Sequence, residues 1–360
     1  MRSRAARMVA GLLVCAAGGA LFAWIHSPLP WMIGSIVAMA AAQMLGANLA
    51  VIPWGRNAGL VVVGTTLGLH FTSPVIHEVS SYWPWFVALG FAAIAFGGTS
   101  GWILSRLSGI DRATCYFGSM PGGASEMAMT GERHGARSEF VAFAHSVRML
   151  FTVTLFPLAI SFAGFSSSDD YVAVSIPFDA PKLVLLLAIG AACGWMARRI
   201  GLPTAYMIGS LLSTTALTVN GVALSSVPHV LPSAAQVLLG AALGVSFNRA
   251  FLLKAPRFAL SLIPSIAATL VSAALVGWAL ARLSGVYIGT GLLAAAPGGI
   301  AEMSITAQVL HMGVAFVTAA HTVRYIVVVL FTGIVFRMLR HGRSLIGNRG
   351  QTPFSKGQND

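Results

Sequence analysis

Charge is what this chain has least of. Lys, Arg, Asp and Glu together make up 9% of 360 residues, and only ten are acidic. A water-soluble domain ordinarily carries about 25% charge, so a soluble globular fold is excluded. Cysteine is almost as scarce. Cys15, Cys115 and Cys193 lie in apolar stretches with no CxxC spacing, which removes a disulfide framework and leaves them as small core residues. Nucleotide-loop motifs are missing as well: no GxGxxG opens a helix after a strand, and no Walker sequence occurs.

What remains is overwhelmingly apolar. The hydrophobic fraction is 56% and the mean hydropathy +0.81. Runs of membrane-spanning length recur along most of the chain. The net charge of +12 sits between these runs and in the tails, where it reads as membrane topology rather than nucleic-acid binding. Arg2, Arg4 and Arg7 followed by an apolar run resemble a leader peptide. However, a matching segment at 183–197 occupies the same place before the second copy of the central motif, so the first run is expected to be part of the fold.

The chain is written twice. Residues 120–130 read MPGGASEMAMT and residues 296–306 read APGGIAEMSIT. Pro121 and Pro297, Glu126 and Glu302, His145 and His321, and Arg148 and Arg324 are each 176 apart. Leu29-Pro30 with Met32-Ile33-Gly34-Ser35 recurs as Leu202-Pro203 with Met207-Ile208-Gly209-Ser210. Gly64, Leu67, Gly68 and Phe71 recur as Gly240, Leu243, Gly244 and Phe247. Two homologous membrane repeats are expected, 1–165 and 182–340. An acidic linker at 166–181, with Asp169, Asp170 and Asp179, joins them, and a flexible basic tail follows at 341–360.

Each half has six apolar segments, near 8–26, 30–50, 58–71, 82–105, 113–130 and 138–164, and near 182–198, 203–223, 230–247, 258–281, 287–310 and 313–338. The fifth of each set carries the Pro-Gly-Gly. If it turns back rather than crossing, each half has five spans and the second half is inverted. Of the 22 Lys and Arg, Lys182 and Arg282 then lie outside, Arg148 and Arg324 lie within spans, and the remaining eighteen lie inside. If it crosses, Arg133, Arg137, Arg198, Arg199, Arg249, Lys254 and Arg257 move outside while Lys182 and Arg282 move inside, and the bias falls to thirteen against seven. The positive-inside rule favours the first arrangement. The expected fold is therefore an all-α integral membrane protein. It has about ten transmembrane helices in two five-span inverted halves, with a re-entrant or broken helix at each Pro-Gly-Gly. Both termini are placed in the cytoplasm of a bacterium and the linker in the periplasm.

The expected site follows from the same repeat. Glu126 and Glu302 are the acidic residues inside predicted spans, and Arg148 and Arg324 the basic ones. A charge at mid-membrane costs roughly 2.5–3.5 kcal/mol even on the lenient insertion scale, so each should find a partner; Glu–Arg pairing is expected. His145 and Arg148, three apart, share a helix face, as do His321 and Arg324. Gly122-Gly123 and Gly298-Gly299 permit broken backbone, and Pro121 and Pro297 end the preceding helix. Helix N-termini after the breaks would face a solute or ion, with the arginines favouring a small polar or anionic solute and the Glu and His residues able to carry protons. The bland alternative is a pair of Glu–Arg bridges that only fix the broken helices. A metalloenzyme would need ligands from Glu126, His134, His145, Glu302, His311 and His321. No HExxH or two-His-carboxylate spacing is present, and an Arg stands three residues from each key His, so no metal or cofactor is expected.

With two PGG-x-x-E-M motifs, each followed by H-x-V-R, and paired Met-Ile-Gly-Ser, the chain resembles the AbrB duplication family of Gram-negative membrane proteins over about residues 10–340. This is distinct from the soluble DNA-binding fold of the same name. The resemblance implies an inner-membrane location and labels of gene-expression regulator or ammonia monooxygenase. The residues themselves favour a secondary transporter and no enzyme, with the lipid bilayer as partner, no nucleic acid, and a homo-oligomer compatible with either. A membrane-bound sensor or regulator is the alternative.

Overall fold

The computed structural model describes residues 4–165, 176–222, 224–247 and 249–347, with residue 250 and the stretch 341–347 described by backbone alone. Asp169, Asp170 and the tail beyond 347 lie outside the described residues.

Sixteen helices and no strand are present among the described residues. The first eight are α1 (Arg4–Trp24), α2 (Pro30–Met44), α3 (Gly55–Gly68), α4 (Ser73–Ser81), α5 (Trp83–Ser108), α6 (Arg112–Ser119), α7 (Ala124–Glu132) and α8 (Ser138–Phe162). The second eight are α9 (Ala180–Arg199), α10 (Ala205–Val219), α11 (Val230–Gly244), α12 (Arg249–Lys254), α13 (Pro256–Ser284), α14 (Ile288–Ala295), α15 (Ile300–Val309) and α16 (Val314–Gly347). Local chemistry explains the punctuation. Proline opens α2, α4, α5, α9 and α13, where a missing N–H costs nothing. Gly109 and Gly285 end α5 and α13 in the left-handed region, at φ 71° and 77°.

Among the described residues, six helices are long and apolar enough to cross a membrane: α1, α5, α8, α9, α13 and α16 up to Arg340. Helices α3 and α4 pass that test together, but they bend by 93°. The sequence leads one to expect longer segments at 30–50, 203–223 and 230–247. The structure ends those helices at 15 residues each, as α2, α10 and α11. Fifteen residues rise about 22 Å, short of the roughly 30 Å hydrocarbon core. Both fifth segments are broken as expected. The short helices α4 and α12 are additions that hydropathy alone does not show.

The helices sort into two groups, each drawing on both parts of the sequence. One comprises α1–α3 and α9–α11; the other comprises α5–α8 and α13–α16. Small residues allow the approach in the first group. A side chain at Gly18 would strike the Gly34 carbonyl oxygen, and one at Gly209 would come within 2.5 Å of the Gly194 nitrogen. Ser35 Oγ donates to the Cys15 carbonyl at 3.0 Å across α1 and α2. In the second group, Thr269 Oγ1 donates to Ser100 Oγ at 2.7 Å where α5 crosses α13.

The largest apolar cluster lies between the groups. Met32, Ile33, Leu60, Val63, Met207 and Leu239 meet Val153, Phe156, Ile300, Ala301 and Met303 there. Elsewhere the periphery exposes large apolar side chains such as Leu13, Val184, Leu260 and Leu275, which fits a lipid-facing surface rather than a watery one.

Candidate functional site

Both Pro-Gly-Gly motifs build the same break. Helix α6 ends at Ser119, Met120 and Gly123 are extended, and α7 begins with Gly123 as its N-cap. Helix α14 ends at Ala295, and α15 begins after Gly299 in the same conformation. The rest of each motif explains its glycines. A side chain at Gly122 would meet the Met127 side chain at 3.0 Å, and one at Gly298 would meet Met303 at 2.7 Å. A side chain at Gly123 or Gly299 would collide with the carboxylate of Glu126 or Glu302, which folds back over the N-cap. Each glutamate is thus the third residue of its half-helix, at the positive end of the helix dipole.

The two His-x-x-Arg motifs complete the breaks from the neighbouring long helices α8 and α16. His145 Nε2 donates to the Phe117 carbonyl at 3.0 Å, and His321 Nε2 to that of Leu293 at 2.8 Å. Arg148 donates to the Met120 carbonyl at 2.6 Å and more weakly to Gly122 at 3.5 Å. Arg324 donates to Ala295 at 3.3 Å, to Ala296, and to Gly298 at 2.8 Å. Each arginine also donates to Nδ1 of its own histidine at 2.9 Å. Because Nδ1 accepts, the ring proton is assigned to Nε2 in both histidines. The last carbonyls of a helix have no intrahelical partner and form the negative end of its dipole; the guanidinium groups fill that vacancy.

All twelve expected residues therefore gather at two breaks, six at each. The expected pairing is corrected. Among the described residues no ion pair joins Glu126 or Glu302 to Arg148 or Arg324; the ion pairs found are Arg137–Asp111, Lys182–Asp179 and Lys254–Glu139. The arginines bond backbone carbonyls instead, because the broken helices leave those acceptors buried within reach.

Each tip also touches the long helix beside the other break. The position of a Gly123 Cβ lies 2.9 Å from the Tyr325 hydroxyl of α16, and that of a Gly299 Cβ lies 3.4 Å from Met149 of α8. Arg148 acts electrostatically on Arg324, so the two breaks are within range of one another. From the other helix group, Thr204, the left-handed N-cap of α10, neighbours Tyr325. Arg56, at the start of α3, acts on both Glu302 and Tyr325. The Tyr325 hydroxyl is buried within interaction range of the Glu126 carboxylate and the Thr204 hydroxyl, though neither it nor Thr204 Oγ1 makes a hydrogen bond of ordinary geometry. The site thus sits where the two helix groups meet.

Sequence reasoning missed Tyr325, Met149, Thr204 and Arg56. Tyr325 and Met149 each directly follow the repeated arginine, so the repeat itself pointed to them. Thr204 and Arg56 have no matching residue in the other copy and gave no signal. No three His, Cys, Asp or Glu side chains are grouped as metal ligands among the described residues. A cavity of about 560 Å³ lies elsewhere, between α5, α6 and α16, with Trp102, Tyr116, His134, Phe336 and Arg340 in its wall.

Residues 31–340 match a family model described as "Transition state regulatory protein AbrB". The chain is 28% identical over 363 residues to the uncharacterised protein YhjN of Bacillus subtilis strain 168, covering 92% of each chain. It is 25% identical over 314 residues to an Escherichia coli K12 protein provisionally named "regulator AbrB", covering 86% of this chain and 89% of that one. The Bacillus relative carries the similarity beyond the Gram-negative bacteria.

Proposed function

The chain belongs to the AbrB family, and from that premise we propose that it is a secondary carrier for a small polar or anionic solute, working at the junction of its two broken helices. In this reading α1–α8 and α9–α16 are inverted repeats. Ten helices span the bacterial plasma membrane, and both termini are cytoplasmic. The three short apolar helices α2, α10 and α11, together with α3, make up the spans beyond the six long ones. No covalent chemistry is assigned.

One observation carries the proposal. The tip of each broken helix meets the long helix beside the other break, at the seam between two helix groups built from both parts of the chain. Irregular backbone at membrane depth is tolerated where protein or a watery cavity surrounds it, and paired half-helices at a repeat interface are a recurring form of carrier site. Each glutamate sits at a half-helix start with no ion pair to Arg148 or Arg324, and the half-buried Glu126 is the one open to exchange a ligand. Solute affinity then rests on the helix N-termini, the Tyr325 and Thr204 hydroxyls and Arg56, since Arg148 and Arg324 are committed to carbonyls.

A second reading, a membrane-bound sensor or regulator of gene expression, is favoured by the regulator name given to the E. coli relative. Comparing solute uptake and efflux in the native host with and without the gene separates the two. A solute-specific flux difference, abolished by Glu126→Gln in folded protein, supports the carrier. Unchanged flux together with a cytoplasmic partner recovered by crosslinking supports the regulator.

A further inference from the structure

The two breaks share a motif but not an environment. Around the first, Tyr325 and Thr204 supply hydroxyl groups; at the place around the second that corresponds to Tyr325 stands Met149. Met149 and Tyr325 each directly follow the repeated arginine, so that comparison is position for position. The first tip is also open. Ala124 and Ser125 are exposed and Glu126 is half-buried, whereas Ile300, Ala301 and Glu302 are all buried. Tyr325, only 9% exposed, holds its hydroxyl against the Glu126 carboxylate and within reach of the Thr204 hydroxyl.

We propose that Glu126 alone is the exchange site of the molecule and that what it exchanges is a proton, handed past the Tyr325 hydroxyl, while Glu302 is a structural cap. This deepens the carrier reading into a proton-coupled one and rests on it for the coupling. The step balances simply: the Glu126 carboxylate takes a proton from water on one side of the membrane and returns it to water on the other. The charges around it argue against a metal cation. Arg56, Arg148 and Arg324 face the breaks from α3, α8 and α16, with Glu302 on α15 as the other carboxylate. His145 and His321 are engaged at both ring nitrogens. Three guanidinium groups repel Na⁺, and a lone carboxylate with two hydroxyls falls short of the six or so oxygens a hard cation gathers. A proton needs only the one carboxylate, and removing its charge leaves a site made of hydrogen-bond donors that suits an anion.

The test is a pH jump on proteoliposomes adsorbed to a solid-supported electrode. Wild type is expected to give a transient charge movement, Glu302→Gln to keep it and Glu126→Gln to lose it. Tyr325→Phe, a milder change, is expected to keep the fold and shift the pH at which the transient is half-maximal. A transient that survives Glu126→Gln, no transient in wild type, or the same transient from a Na⁺ jump at constant pH overturns the proposal. A pH dye in the lumen reads the carrier separately: a wild-type transient with no solute-driven lumen acidification keeps Glu126 as the proton site and removes only the coupling.

Discussion

Arg324 donates to the carbonyl oxygen of Gly298 at 2.8 Å, tying a long helix to the break of a short one. Arg148 makes the matching, longer contact with Gly122 at 3.5 Å. Two charges that the sequence leaves looking for acidic partners are absorbed by backbone. That leaves both glutamates without an ion pair to these arginines and moves the chemical interest from the arginines to Glu126.

Replacing Arg324 with Lys should be destabilising despite the retained charge. A lysine lacks the planar fork that reaches several carbonyls and His321 at once, so buried acceptors are left unmade. The expected cost is about 2 kcal/mol, seen as a lower melting temperature of the purified protein. Arg148→Lys should behave alike but more mildly, given its weaker second contact. Unchanged melting in both would remove the capping role.

Gly64→Ala should disrupt the seam between α3 and α10. The added methyl meets Ser210 Oγ and, at 2.6 Å, the Met207 carbonyl. Because that second obstacle is backbone, Ser210→Ala should fail to rescue it. Size-exclusion of a fluorescent fusion checks this: loss of the monodisperse peak is expected in both the single and the double variant, and recovery in the double variant would contradict it.

Topology is the third outcome to check. A reporter fused after residue 134 and one near residue 175 should report opposite sides of the membrane, cytoplasm for the first and periplasm for the second. Both on one side would sink the inverted arrangement.

Much of the site was legible because the repeat filters the sequence. Pro-Gly-Gly, Glu, His and Arg recur at one spacing, and the structure gathers all twelve. The paired Met-Ile-Gly-Ser and Gly-x-x-Leu-Gly runs also acquire a reason: Gly240 takes Ser35 of α2, and Gly64 takes Ser210 of α10, so each copy's glycines receive the other copy's serine. The Glu–Arg pairing misled because a sequence displays side-chain charge but hides the buried carbonyls that a broken helix exposes. Span lengths misled because hydropathy continues past the points where Met44, Val219 and Gly244 end their helices. Tyr325 escaped because its counterpart after the first arginine is Met149, so the repeat marked the position but not its hydroxyl, and Thr204 escaped because a hydroxyl facing a tip in space has no spacing rule along the chain.

The central claim is that the first tip belongs to a pathway and not to a sealed core. In a background with Cys15, Cys115 and Cys193 replaced by alanine, Ala124→Cys places one thiol at that tip. Membrane-impermeant thiol reagents applied separately to each face of oriented vesicles should label it from both sides, with each rate changing as the pH is stepped. Labelling from neither face, or from one face only at every pH, would contradict the account.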